Sequence, residues 1–95
     1  MYKYELTQNA KDDLFRIYSF GYDEFGEALA DKYYYSLFEA FEKISKDPFV
    51  YQSVDHIRPG YKRFIHKPDS IYFRIIKNKV VITAILGRQN YDNWL

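Results

Sequence analysis

Ninety-five residues suit one domain with a modest core and no covalent staples. The absence of cysteine excludes disulfides and thiolate metal sites and fits a reducing cytoplasm. The formal charge of +1 conceals an asymmetry: residues 1–50 carry six Lys/Arg against ten Asp/Glu, and residues 51–95 carry eight against three.

No run approaches the roughly 18 apolar residues of a membrane span. The opening Met-Tyr-Lys-Tyr-Glu-Leu lacks the apolar core of a signal peptide. Both observations point to a cytoplasmic protein with no membrane partner. Eight Phe, eleven Tyr and one Trp supply most of the bulky core material. Tyrosine is amphipathic, so such a set serves either a surface covered part of the time or a small core in which Tyr replaces Phe.

Tyr2, Tyr4 and Leu6 alternate with Lys3 and Glu5, which predicts a short strand. Thr7 stands at a helix N-cap position, with Asp12 and Asp13 read as helix-start charges. Ala10, Leu14, Ile17, Tyr18, Gly21 and Phe25 follow at helical spacing, which predicts a helix over 8–25 broken at Gly26. A second helix is predicted over 27–45, with Ala30, Tyr33, Leu37, Ala40, Phe41 and Ile44 as its stripe. Tyr34, Tyr35 and Phe38 widen that arc, for a second packing neighbour or for a partner.

Asp47-Pro48 stops the helix. A loop follows over 49–59, and then three strands at 61–66, 71–77 and 79–86. The short links Lys67-Pro68-Asp69 and Asn78 force these strands to run antiparallel. Residues 90–95 are read as a tail or a last short helix. The expected fold is α+β: an N-terminal strand, a helical hairpin, then a three-stranded antiparallel meander, with the helices on one sheet face. The other face is expected to be more polar and basic. Residues 1–95 form a single domain on this reading.

Arg58, Lys62, Arg63, His66, Arg74 and Arg88 could face an anion. Alternation puts Lys62, Phe64 and His66 on one side of their strand and Tyr61, Arg63 and Ile65 on the other. Such a mixture suits a nucleic-acid backbone, an acidic protein or plain solvent. Catalytic constellations are weak. His56 and His66 have no metal-ligand spacing, and no site for a metal or cofactor is expected. No Gly-rich elbow or phosphate loop is present. One metal-free scheme survives: a ribonuclease in which Lys62, Arg63, Arg74, Arg88 and Tyr91 stabilise charge and move protons.

Several segments resemble the RelE/ParE superfamily of small bacterial toxins. They are Ala10-Lys11-Asp12-Asp13-Leu14, Pro48, Ile57-Arg58-Pro59-Gly60-Tyr61-Lys62-Arg63-Phe64, Ser70-Ile71-Tyr72-Phe73-Arg74-Ile75, and above all Ile85-Leu86-Gly87-Arg88-Gln89-Asn90-Tyr91. The pattern is closer to the ParE branch, although Leu86 stands where many relatives carry His. The resemblance implies a toxin of a type II toxin–antitoxin module, in a hetero-oligomer with its cognate antitoxin. ParE-type toxins act on DNA gyrase. RelE-type toxins cleave mRNA on the ribosome and are strongly basic, unlike this chain. The expected function is therefore a non-enzymatic gyrase inhibitor; the alternative is the metal-independent ribosome-dependent endoribonuclease. Expected target contacts are Arg58, Arg63, Arg74, Arg88, Gln89 and Tyr91. Expected antitoxin contacts are Tyr34, Tyr35, Phe38, Tyr72 and Arg74.

Overall fold

The computed structural model describes residues 1–87. Strand β1 (Lys3–Leu6) leads into helix α1 (Gln8–Phe25), Gly26 and helix α2 (Glu27–Lys46). A short 3-10 turn (Pro48–Val50) and a two-residue strand β2 (Gln52–Ser53) precede β3 (Lys62–His66), β4 (Asp69–Ile76) and β5 (Lys79–Gly87). The five strands lie in the order β1-β5-β4-β3-β2. β1 runs parallel to β5, and all other pairs are antiparallel. Among the described residues no helix is long and apolar enough to cross a membrane.

The expected α+β architecture is present, with one strand more than expected. Gln52 and Ser53 pair with Arg63 and Lys62 and extend the sheet at its far edge. The α1 start follows its sequence signal. Thr7 is extended, and its side chain accepts from the Ala10 amide at 3.2 Å. Lys77 and Asn78, both at positive φ (48° and 64°), make the two-residue turn that matches strand twist.

The main core lies between the helices and one sheet face. Leu14, Ile17, Leu37, Phe41 and Ile44 from the helices meet Ile71, Phe73, Val80, Ile82 and Ile85 from the sheet. The opposite sheet face is not simply open and basic, as the sequence suggests. Segment 54–61 folds over part of it, and Val54 packs with Tyr72, Ala84 and Leu86 in a second small core. Ile57 and Tyr61 close that cluster from the side. Turns hold the segment: the Ile57 and Arg58 amides donate to the Val54 carbonyl, and the Gly60 amide donates to Asp55 at 2.8 Å.

β5 contributes to both cores, and an interruption of its alternation decides which of its later residues face which. Tyr72 pairs with Ala84 but Phe73 pairs with Ile82, so Thr83 is an extra residue in β5. Before the bulge, Val80 and Ile82 face the helices; after it, Ile85 does, while Ala84 and Leu86 face the second core.

β1 accompanies β5 only to Ile82, so the outer edge of β5 beyond that point has no strand partner among the described residues. Side chains of α1 and its cap take over. The Thr7 hydroxyl and the Asn9 amide donate to the Thr83 carbonyl at 3.2 and 2.9 Å. The Asp13 carboxylate accepts from the Ile85 amide at 2.9 Å, and Arg16 donates to the Ile85 carbonyl at 2.9 Å. Asp13 is therefore a tie between α1 and β5 rather than a helix-start charge. Burial raises its pKa above the ordinary 3.8, against the lowering effects of the Ile85 amide and Arg16.

Asp13→Ala would leave the amide of fully buried Ile85 without an acceptor. The expected loss is about 1–3 kcal/mol, read by urea denaturation. Asp13→Asn keeps an acceptor and should lose less. The raised carboxyl favours the protonated folded state, so its contribution is full below pH 3.8 and is lost as pH rises through the raised value. The stability difference between the wild type and D13N should therefore shift against the wild type over that rise; a pH-independent difference would show that Asp13 carries no such shift.

Candidate functional site

The two faces of the sheet present different chemistry. On the face away from the helices, Arg63 and Ile65 of β3 stand beside Tyr72, Arg74 and Ile76 of β4, as the pairing of Arg63 with Tyr72 requires. Segment 54–61 adds Arg58 and Tyr61. The Arg58 and Arg74 guanidinium carbons lie 5.6 and 5.5 Å from the centre of the Tyr61 ring. Both cations sit against the negative quadrupole of one ring, which holds two like charges on one surface. Arg63 is anchored by donating from Nε and a terminal nitrogen to Gln52 Oε1 at 3.3 and 2.9 Å. Strand β2, absent from the sequence reading, thus orients one of the expected target contacts.

Lys62 and His66 lie on the opposite, helix-facing side. Lys62 Nζ donates to the Tyr51 carbonyl at 3.2 Å. The alternation read from the sequence therefore holds, and it separates Lys62 from Arg63 and Arg74 within the ribonuclease set. Arg88, Gln89 and Tyr91 lie outside the described residues.

His66 joins a small polar network under α2. The Ser36 hydroxyl donates its one proton to the Tyr33 carbonyl at 2.6 Å and accepts from His66 Nε2 at 2.8 Å. Tyr33 donates to Asp69 at 2.9 Å and lies against the His66 ring, with centroids 5.4 Å apart. Burial pushes the His66 pKa down, and burial followed by the charge of Asp69 pushes that of Tyr33 up. Ser36 does not give its proton to His66, so the pair ties α2 to β3 rather than forming an activated nucleophile.

The expected antitoxin contacts divide between the faces. Tyr34, Tyr35 and Phe38 stand together on α2. Tyr34 packs on both neighbours, with ring centroids 5.7 Å from Tyr35 and 5.1 Å from Phe38. They border a groove of about 470 Å³ that is also lined by Leu6, Leu14 and Phe15. Tyr35 and Phe15 are 65% and 74% exposed, so the groove has aromatic rims. Its polar edge includes Lys11 and Asp31; Tyr18 donates to Asp31 at 2.6 Å, and that bond is the main cause of a Tyr18 pKa pushed up to about 12. Tyr72 is different: at 3% exposure it belongs to the second core. Arg74 lies across the sheet from the groove. Phe15 was missed as a surface residue, although it falls between the stripe positions Leu14 and Ile17 and so off the packing face.

The comparisons agree with this fold. A family model described as "ParE toxin of type II toxin-antitoxin system, parDE" matches residues 4–91. The toxin ParE1 sequences of two Mycobacterium tuberculosis strains are each 27% identical over 90 residues, covering 95% of this chain and 92% of the relative. A solved structure titled "Chromosomal ParDE TA system from P. aeruginosa" contains a chain with a TM-score of 0.82 at 21% identity, covering 92% of this chain and 96% of that one. The family match spans the helical hairpin, the clasped β5 and the arginine-bearing sheet face, and the chain belongs to the ParE toxins of type II toxin–antitoxin systems.

Proposed function

We propose that this ParE-family toxin is a non-catalytic inhibitor of DNA gyrase, kept inactive by a cognate antitoxin. The observation that carries this reading is the gathering of Arg58 and Arg74 around Tyr61, with Arg63 alongside, on a sheet face that lacks Lys62 and His66. Charge and an aromatic surface are available there for binding. Lys62, the lysine that the ribonuclease scheme relies on, lies on the other side of the sheet, and Lys79 on this face is paired with Glu5 at 3.3 Å. A protein target also fits the formal charge of +1, which is far from the strong positive balance that rRNA binding needs.

Purified toxin added to gyrase should block supercoiling and trap cleaved DNA. Replacing Arg58 and Arg74 together by Ala should raise the half-inhibiting concentration by about tenfold or more, as expected for losing charged contacts at an interface. Supercoiling that continues at stoichiometric excess of toxin removes the gyrase reading. New cuts in translated mRNA, seen by primer extension, would establish the ribonuclease instead.

The groove beside α2 is the proposed seat of the antitoxin. Its aromatic rims would be costly to leave in water and suit an apolar segment. Arg58, Arg63 and Arg74 lie on the far face, so an antitoxin covering both must pass around an edge of the sheet. Acidic residues in its second portion would meet those arginines. Tyr35→Ala should weaken the toxin–antitoxin complex by about 1–3 kcal/mol, or roughly 5- to 150-fold in dissociation constant. Calorimetric titration reads the change, and an unchanged constant would place the antitoxin elsewhere.

A further inference from the structure

The tip of the helical hairpin is both acidic and apolar. From Ile17 to Asp31 the chain has four carboxylates, on Asp23, Glu24, Glu27 and Asp31, and no Lys or Arg. Four large side chains stand out beside them: Phe20, Tyr22, Phe25 and Leu29 are 61, 50, 63 and 56% exposed. Asp23, Glu24 and Glu27 are exposed as well. The Phe20 and Phe25 rings meet edge to face at 6.4 Å and form a small apolar patch, while Tyr22 lies against Tyr18.

The tip is also firmly built. Gly26 alone joins the helices, at φ 88°, a conformation that favours glycine. Its amide donates to the Tyr22 carbonyl, and its carbonyl accepts from the Ala30 amide. A surface preorganised in this way loses little entropy on docking. Its charge repels phosphates and acidic proteins. Its occupant must be cationic and partly apolar.

The described part of the chain carries such a surface on the far side of the sheet. Arg74 is exposed there next to Ile76, at 38% exposure, on its strand face, with Arg63 and then Ile65, at 57%, following along β3 past Tyr72. We propose that the hairpin tip of one copy docks on the Arg63/Arg74 sheet face of a second copy, head to tail. The two patches differ, so the contact is heterologous and can extend beyond a dimer. Four exposed apolar side chains fall short of the roughly 800 Å² per partner of a standard interface, so the association is weak and concentration-dependent. It covers the face assigned above to gyrase and rests on that assignment only for its consequence: associated toxin would be withheld from its target. The association itself needs no gyrase.

Sedimentation velocity of the isolated toxin tests this directly. At about 50 mM salt the average mass should rise with concentration above the 11.5 kDa monomer, and at about 500 mM it should return to monomer as the charges are screened. The double substitution Glu24→Lys/Glu27→Lys cancels the charge of the tip's four carboxylates, and Arg74→Glu cancels the charge of the Arg63/Arg74 face opposite an acidic tip. Each variant alone should sediment as monomer, and an equimolar mixture should associate again. Phe25→Ser should also give monomer, a check on a different chemistry. The proposal is overturned if the wild type stays monomeric in low salt up to several hundred micromolar. It is equally overturned if either charge variant associates alone as the wild type does, or if the mixture remains monomeric.

Discussion

β5 runs nine residues, but its parallel neighbour β1 pairs with only the first four, Lys79–Ile82. Every residue of the strand from Val80 onward except Thr83 is buried, and an unpaired buried amide or carbonyl there would cost as much as a lost hydrogen bond. Thr7, Asn9, Asp13 and Arg16 solve the problem from one side of α1. Positions 9, 13 and 16 are spaced by four and three, so they share a helix face and meet the strand edge in turn. α1 thereby does what a longer β1 would do, and also seals the edge against a foreign strand. The bulge at Thr83 sits within this clasp, and its carbonyl takes two of the donors. Helix position, bulge and the two cores are consequently one arrangement.

The sequence made some of this legible and hid the rest for physical reasons. Both helices stand out because their periods are long and their limits chemically marked, by Thr7, Gly26 and Asp47-Pro48. β3 shows its facing by strict alternation, and Lys62, Arg63 and His66 lie where that alternation puts them. β5 does not, because Val80-Val81-Ile82-Thr83-Ala84-Ile85-Leu86 is apolar at nearly every position. An inserted residue leaves no mark in such a run. β2 is too short for any periodicity, and its two residues are polar. The second core was hidden for another reason: Val54, Ile57 and Tyr61 are spaced irregularly through a turn-rich segment, and only the folded turns bring them over Tyr72.

That second core changes how the basic half should be regarded. The +5 balance of residues 51–95 is not spread over a bare sheet. Part of the face is occupied by apolar packing, and Arg58 and Arg74 are drawn to its margin, where half-buried Tyr61 both packs against the small core and serves as a platform for cations. Packing and electrostatics reinforce each other there. The ring that closes the small core also gathers the guanidinium groups, whereas Lys62, one residue along, is turned into the helix layer.

The same geometry separates surfaces by charge. The acidic residues 17–31 form the hairpin tip, the aromatic groove lies along α1 and α2, and the arginines occupy the far sheet face. A single short partner strand or helix cannot cover the groove and the arginines together, because the sheet stands between them. If the arginines are the target-binding face, as proposed above, neutralisation by an antitoxin can work in either of two ways. A wrapping chain can occupy both faces and block the arginines directly. Alternatively, a segment confined to the groove leaves the arginines in place and must act by bulk or by altering the clasp at Asp13 and Ile85. The clasp's hydrogen bonds are all made within one chain, and opening it would leave the amide and carbonyl of fully buried Ile85 without their partners, so a partner has little to gain by opening it. Direct coverage by a chain that turns the sheet edge is the arrangement this architecture favours.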